Sequence, residues 1–530
     1  MKQPHPESRN QDMAPSRPDI RPLTILDLPN ELLRNILDHF QDPVIKQAAV
    51  EWREARRTPS ELQRENRKTI QNLRLVCRAL NDLSSPLLCP VLRVDINQRS
   101  LDRAVNLSHS PTVASGVRGI CVGLHCFPSE LVNSLSRFTD IRLDKCREVE
   151  NACNWHLEGI AMASEDSDDD DDDESPDMSG AVYRDALKKG HSIWTSWRNY
   201  VKRAEDGGPG AGPVEANDEY QEILRTGHEK FRDKHREQRE MLESRSFVRT
   251  LAACLVRMPN ARAVGFYHED DVFGQYYDDP NLLLDTALLA RLMTTPLSWQ
   301  EIEEASDIHH GTARILSDLP IAIHEAGVAL RDLDVSIFPC VRDQTLVCLC
   351  PDSANTWSKF RTACQSLRRA SFGDALNNLP IRHSHLGAGE SRHVNEYLAA
   401  LVSGPHLETV RIYPRAFGLN DGRGGRGEYD LSPVLATVGW PRVRDISISC
   451  VGVTQTAVEA FFTGLRSDCV ERVKSVYYYQ CYGGEFGRRP KREDEWALDY
   501  KRPETPSIVK EVEMYISGAA MENPVRALRA

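Results

Sequence analysis

A short pattern, apolar-x-x-apolar-x-apolar, recurs along this chain and restricts its fold more than any other feature of the sequence. It occurs at Val117-x-x-Ile120-x-Val122, Phe138-x-x-Ile141-x-Leu143, Ala261-x-x-Val264-x-Phe266, Leu330-x-x-Leu333-x-Val335, Leu367-x-x-Ala370-x-Phe372, Leu407-x-x-Val410-x-Ile412, Val443-x-x-Ile446-x-Ile448 and Val473-x-x-Val476-x-Tyr478. The last three residues of each alternate as a short strand does, and the first anchors the turn leading in. Helix-period runs precede several of them, such as Phe247, Val248, Leu251, Ala252 and Leu255 before Pro259, and Tyr397, Leu398, Leu401 and Val402 before Gly404-Pro405. Phe360, Ala363, Cys364 and Leu367 make a third such run. One unit of helix, break and strand cannot bury its own apolar face, whereas stacked units share a continuous core and form a ladder of short parallel strands. The expected body is therefore α/β, a curved solenoid over 97–150 and 246–484. A non-repetitive α/β domain would give the same local signals.

Between the second and third motifs about a hundred residues interrupt the ladder, an insertion assigned to 151–245. Its run Glu165–Glu174 holds nine acidic residues, repels itself and buries too little apolar surface to offset ordering, so it is expected to stay disordered. Ser167 and Ser175 in this stretch match short kinase-site patterns. Gly207–Pro213 reads as a flexible tract. Met178–Arg203, with Trp194, Trp197 and Tyr200, is expected as one helix packed on the body, and Glu219–Arg245 as a long charged helix.

The N-terminal part carries two further amphipathic stretches. In the first, Leu28, Leu32, Ile36 and the neighbouring Leu33, Leu37 and Phe40 recur at helical spacing, behind Pro29 in the first turn and Glu31 at the positive end of the dipole. In the second, Leu73, Val76, Cys77 and Leu80 fall at i, i+3, i+4 and i+7 and predict a helix ending near Leu83-Ser84-Ser85-Pro86. The first face is too wide for one small helix to bury alone. Either the two helices form a docking module, or the first is one more core helix of a larger domain.

These residues resemble an F-box, a family in which an opening L-P-x-E-[LI]-[LI] helix is followed by an L-x-x-V-C-[RK] helix and a short apolar exit, here Pro86–Leu92. The match assigns 23–96 to the module, after a disordered lead at 1–22. It departs from the family at 44–67, a stretch longer and more charged than usual, which requires a looped-out insertion or an extra helix. The body resembles leucine-rich repeats, which commonly follow an F-box. Its leucine and asparagine frame is eroded, and its motif spacings of 37, 40, 36 and 30 residues from Leu330 to Val473 exceed the usual roughly 20 to 29.

Composition excludes several classes of function. No apolar run approaches the roughly 18 residues that a bilayer span needs, and Met1–Arg21 lacks the apolar core of a signal peptide, so no membrane association or secretion is expected. The 14 cysteines are scattered, which suggests reduced thiols in the cytoplasm or nucleus. Neither Cys121 with Cys126, Cys348 with Cys350, His309-His310 nor His383 with His385 has the partners of a metal site. The net charge is −12, and without the acidic run the rest sums to −3, which gives no basic field for nucleic acid. Arg488-Arg489-Pro490-Lys491-Arg492, in the tail assigned to 485–530, could serve as an import signal or be a solvated loop. No phosphate loop, nucleophile elbow or metalloprotease helix is found, and Gly422–Gly427 lacks the strand-then-helix setting of a phosphate site. No cofactor, metal or catalytic residue is expected, short of an enzyme site concealed in the body.

An F-box followed by a repeat body implies the non-catalytic substrate receptor of a Skp, cullin and F-box (SCF) ubiquitin ligase. The resemblance assigns Leu28, Pro29, Leu32, Leu33, Ile36, Leu37, Val76 and Leu80 to the Skp-type adaptor or to packing within the module. Through the adaptor the chain would reach the cullin. The alternative is a non-degradative scaffold of F-box protein and adaptor. A protein target is expected on the strand face of the body, at the middle positions Gly265, Asp334, Ser371, Arg411 and Ser447, which alternate away from the buried neighbours.

Overall fold

The structure is a computed structural model and describes residues 25–40, 45–46, 49–50, 61–165, 178–206, 218–267, 279–297, 307–336, 354–373, 384–386, 388–413, 417–420, 426–449, 451–469, 475–479 and 514. The chain divides into two compact units, one of residues 1–42 and 59–88 and the other of 43–58 and 89–530.

In the first unit, helix α1 (Asn30–Asp38) begins directly after Pro29, which takes the N-cap position with φ −53° and ψ 148°. A residue without an N–H loses nothing at a helix start, and Glu31 in the first turn complements the dipole. The single helix expected over Leu73–Leu83 is broken in two. Helix α2 (Glu61–Val76) stops at Cys77, whose backbone is extended, and α3 (Arg78–Ser84) starts with the Cys77 Sγ accepting from the Leu80 amide at 3.5 Å. The segment 44–67 also differs from a simple insertion. From Glu61 onward it forms the first turns of α2, whereas Ile45–Lys46 pairs antiparallel with Ala49–Val50 in the second unit. Helix α3 packs against both α1 and α2. Arg74 Nε donates to Ser85 Oγ at 2.9 Å, and that hydroxyl donates to Asn81 Oδ1 at 2.7 Å, tying the end of α2 to the turn after α3.

The second unit is built on an eight-stranded parallel sheet whose spatial order is its chain order. The strands are β1 (Val91–Asp95), β2 (Gly119–Gly123), β3 (Ala263–Tyr267), β4 (Asp332–Val335), β5 (Arg369–Gly373), β6 (Thr409–Tyr413), β7 (Asp445–Ser449) and β8 (Ser475–Tyr479). The register aligns motif with motif. Leu92, Ile120, Val264, Leu333, Ala370, Val410 and Ile446 form one row across the sheet, and Val94, Val122, Phe266, Val335, Phe372, Ile412 and Ile448 form the next. Both rows enter one core, joined by the anchors Val117, Ala261, Leu330, Leu367, Leu407 and Val443. Each such side chain removed from water contributes about 1.5 to 3 kcal/mol, which is why a degenerate sequence can hold this ladder.

Helices cover the core side. Helix α4 (Gln98–Ser108) packs against α8 (Ser246–Arg257), α8 against α9 (Asp307–Glu325), α9 against α10 (Ala354–Cys364), and α10 against α11 (Ala388–Leu401). Tyr397 of α11 stacks on Phe360 of α10 and donates its hydroxyl to the Leu316 carbonyl on α9 at 3.2 Å, linking three successive helices.

Two motif assignments change. Phe138–Leu143 is not a strand but part of the 31-residue helix α5 (Leu135–Glu165), in which Phe138, Arg142, Cys146, Val149 and Cys153 are buried at helical spacing. The first strand is instead β1, where Cys89-x-x-Leu92-x-Val94 fits the same pattern within the stretch read as the F-box exit. The insertion thus begins at Leu135 rather than 151, and its described part is largely ordered helix: α5, α6 (Met178–Glu205) and α7 (Glu219–Glu243). Trp197 of α6 is fully buried and donates Nε1 to the Tyr220 carbonyl at 2.8 Å. Arg142 is buried between the rings of Phe138 and Phe231 and donates Nη2 to the Thr295 carbonyl at 2.7 Å. A smaller sheet joins Ser384–Leu386, Phe417–Asn420, Arg426–Asp430 and Val451–Gly452, all from segments between the main strands.

Candidate interaction surfaces

In the first unit, the structure divides the eight residues assigned to an adaptor into two sets. Leu33, Leu37 and Leu80 are buried, with Leu33 at 3% exposure, and belong to the packing of α1 and α3. Leu32 and Ile36 lie four residues apart on one side of α1, Leu28 lies just before the helix, and all three remain exposed, Leu32 at 48%. Val76 at the end of α2 is exposed at 64%, and Pro29 is exposed as well. Leu75, at 86% exposure, and Ile25 add to the uncovered apolar surface. Leu75 was not among the candidates because it falls one position off the helical register of Leu73, Val76, Cys77 and Leu80. A large aliphatic side chain left in water forgoes about 1.5 to 3 kcal/mol, so two in line on α1 with a third just before it mark a surface suited to association.

In the second unit, the middle strand positions do form one row. Arg93, Cys121, Gly265, Asp334, Ser371, Arg411 and Ser447 are register neighbours on the sheet face away from the main core. As a solvent-open surface, however, the row needs correction. Gly265, Asp334 and Ser447 are buried, Ser371 is half-buried, and of the five candidates Arg411 alone is exposed. Over β2 and β3 the reason is visible: Val50, from the short Ala49–Val50 strand, packs with Cys121, Ala263, Tyr267 and Val91 in a second apolar cluster on that face. Towards β4–β7 the face is polar. Arg369 Nη2 pairs with Asp332 Oδ2 at 2.8 Å, Arg411 Nη2 lies 3.9 Å from Asp445 Oδ2, and the hydroxyls of Tyr413 and Ser447 are hydrogen-bonded.

Among the described residues no group of three or more His, Cys, Asp or Glu side chains is arranged to hold a metal ion. Desolvation pushes the Cys146 thiol up to about 12 and raises that of Cys364 as well, the opposite of the direction that activates a nucleophile. Burial lowers His228, which bonds the Leu131 carbonyl at 2.9 Å and so acts as a packing group. No helix among the described residues is long and apolar enough to cross a membrane. The acidic residues after Glu165, Ser167, Ser175, Gly207–Pro213, Cys348, Cys350 and Arg488–Arg492 lie outside the described residues.

No family model matches the chain, and no curated protein or solved structure is significantly similar to it.

Proposed function

We propose that the chain is the substrate-recognition subunit of an SCF-type ubiquitin ligase. In this reading its first unit is an F-box that docks on a Skp-type adaptor, and its parallel-sheet body, a degenerate leucine-rich-repeat-like solenoid, holds a target protein. The observation that carries the reading is the division of α1 into a buried pair, Leu33 and Leu37, and an exposed line, Leu32 and Ile36, extended by Leu28 just before the helix. A helix that belonged only to a core would not leave that line uncovered. The order of the sheet supports a repeat body, because each strand pairs with the next in sequence and each motif with the same motif. The chain would perform no chemistry itself. Catalysis would come from holding a target lysine beside the ubiquitin thioester, which raises its effective concentration by orders of magnitude.

The test is affinity purification of the tagged full chain from cells, with and without proteasome inhibition. Recovery of both adaptor and cullin, together with proteins that accumulate only under inhibition, is expected. Adaptor without cullin would instead indicate a non-degradative scaffold, and absence of adaptor would reject the reading.

A further inference from the structure

The residue that follows each anchor stacks across the sheet as the strands do. From β2 to β7 this position holds Arg118, Arg262, Arg331, Arg368, Glu408 and Arg444. Their backbones are direct neighbours: the Arg262 amide donates to the Arg118 carbonyl at 3.0 Å, Arg331 to Arg262 at 2.8 Å, Arg368 to Arg331 at 2.8 Å, Glu408 to Arg368 at 2.7 Å and Arg444 to Glu408 at 2.8 Å. With strands about 4.8 Å apart, the first four arginines cross three steps of the sheet in about 14 Å with no acid between them in the row. Arg331, Arg368 and Arg444 are exposed, and Arg118 and Arg262 are half-buried. Arg368 lies 3.6 Å from Glu408. The side chains of Arg118, Arg262, Arg331 and Arg444 have no hydrogen-bond or ion-pair partner among the described residues.

Part of the reason for this row is internal. Helices α8 to α10 each end shortly before a strand that Arg262, Arg331 or Arg368 introduces, and cations are favoured near helix carbonyl ends. That accounts for a positive charge at each helix end but not for uninterrupted guanidinium groups, since like charges on neighbouring strands repel. Guanidinium forks match carboxylates in bidentate geometry. An extended chain advances about 3.3 to 3.6 Å per residue, so about eight residues span the roughly 24 Å from Arg118 to Arg444.

We propose that this arginine row binds an acidic, extended polypeptide segment of a partner protein. A single row of one guanidinium per strand, broken by Glu408, lacks the broad basic field that displaces counterions from a polyphosphate such as nucleic acid. The chain's own acidic run is the competing occupant, and its deletion in the binding assay separates it from a partner's segment. This site is independent of the adaptor-docking reading, which uses the other unit.

The test is fluorescence anisotropy of fluorescein-labelled octaglutamate with the purified full chain, in low and moderate salt. Saturable binding that weakens with salt is expected, and R118Q/R262Q/R331Q/R368Q should weaken it at least about tenfold, since several charge-assisted contacts are lost. R99Q/R184Q/R232Q/R392Q, which removes the same charge from exposed positions elsewhere, should stay within about twofold of wild type. Should the fourfold row variant fail to fold, R331Q/R368Q at the two exposed neighbours should still weaken binding about threefold. No binding by wild type, an unchanged row variant, or equal loss in both sets would overturn the proposal. Tighter octaglutamate binding after deletion of 166–177 would place the chain's own run on the row and overturn the assignment to a partner.

Discussion

Gln238 on α7 holds together the two segments that leave β1 and β2, and replacing it with glutamate tests whether this clamp organises the body. The side chain is 2% exposed. Its Nε2 donates to the His125 carbonyl at 2.9 Å and, more weakly, to the Ile96 carbonyl at 3.4 Å, while Oε1 accepts from the Phe127 amide at 3.1 Å. Gln238→Met removes all three bonds at similar volume and takes this partner from the buried Phe127 amide and from the Ile96 and His125 carbonyls. At about 1 to 3 kcal/mol for each orphaned group, the loss is about 3 kcal/mol. For a unit of this size, with its large unfolding entropy, that corresponds to a fall of about 3 to 5 °C in thermal midpoint. Gln238→Glu keeps the acceptor for Phe127 but sets a buried carboxylate against two carbonyl oxygens, so at neutral pH it should be at least as destabilising. Burial and the facing carbonyls raise the folded-state pKa of that glutamate above its unfolded value of about 4.3. The folded state therefore holds a proton that the unfolded state has lost, and stability falls as pH rises through the folded pKa. Relative to wild type, the glutamate deficit should shrink from pH 7.5 towards about pH 5, whereas the methionine deficit stays flat. Calorimetric or circular-dichroism melts of the three full-length proteins at several pH values provide the assay. A glutamate variant that melts with wild type at pH 7.5, or whose deficit is the same at both ends of the range, would refute the clamp.

Three further outcomes follow from the same structure. Gly373 ends β5 with φ +79°, and a Cβ there would sit 1.9 Å from the Tyr413 carbonyl oxygen, so Gly373→Ala should cost at least about 2 kcal/mol in denaturant unfolding, with little effect refuting the turn. Leu33→Ala should destabilise the first unit by about 2 to 5 kcal/mol while Leu32→Ala stays within about 0.5, and equal protease sensitivity of the two variants would contradict the division of α1. On the strand face, S371K/R411E should reduce capture of any protein target that purifies with the chain, and full retention by a folded variant would remove these positions from the receptor surface.

How much of this was legible in the sequence depended on how local each signal was. The strands from Ala263 to Ile448 could be read because anchor, turn and two alternating apolar residues all lie within six positions. Phe138–Leu143 satisfied the same template yet is helical, since Phe138, Arg142 and Cys146 continue a spacing of four that the shorter pattern ignores. Strand β1 was missed because Cys89-Pro90 disguised its anchor. The thiol cap at Cys77 breaks a helix whose apolar spacing runs on unbroken across it. The strand-face row was located by alternation alone, but its exposure was not, because the covering Val50 lies far away in sequence. Gln238 gave no signal, since its partners are backbone atoms more than a hundred residues away. The adaptor candidates were readable as an apolar set, but not which side of α1 would be buried.

The central claim, that the exposed line of α1 is a docking surface for a Skp-type adaptor, is tested most directly by calorimetric titration of recombinant adaptor into the full chain and its L32E/I36E variant. Each aliphatic side chain buried on binding contributes about 1.5 to 3 kcal/mol, so the double variant should bind at least about a hundredfold more weakly. Its melting profile should match wild type, because both residues are already exposed. Unchanged affinity in a folded L32E/I36E variant, or no affinity of the wild-type chain for the adaptor, would contradict the account.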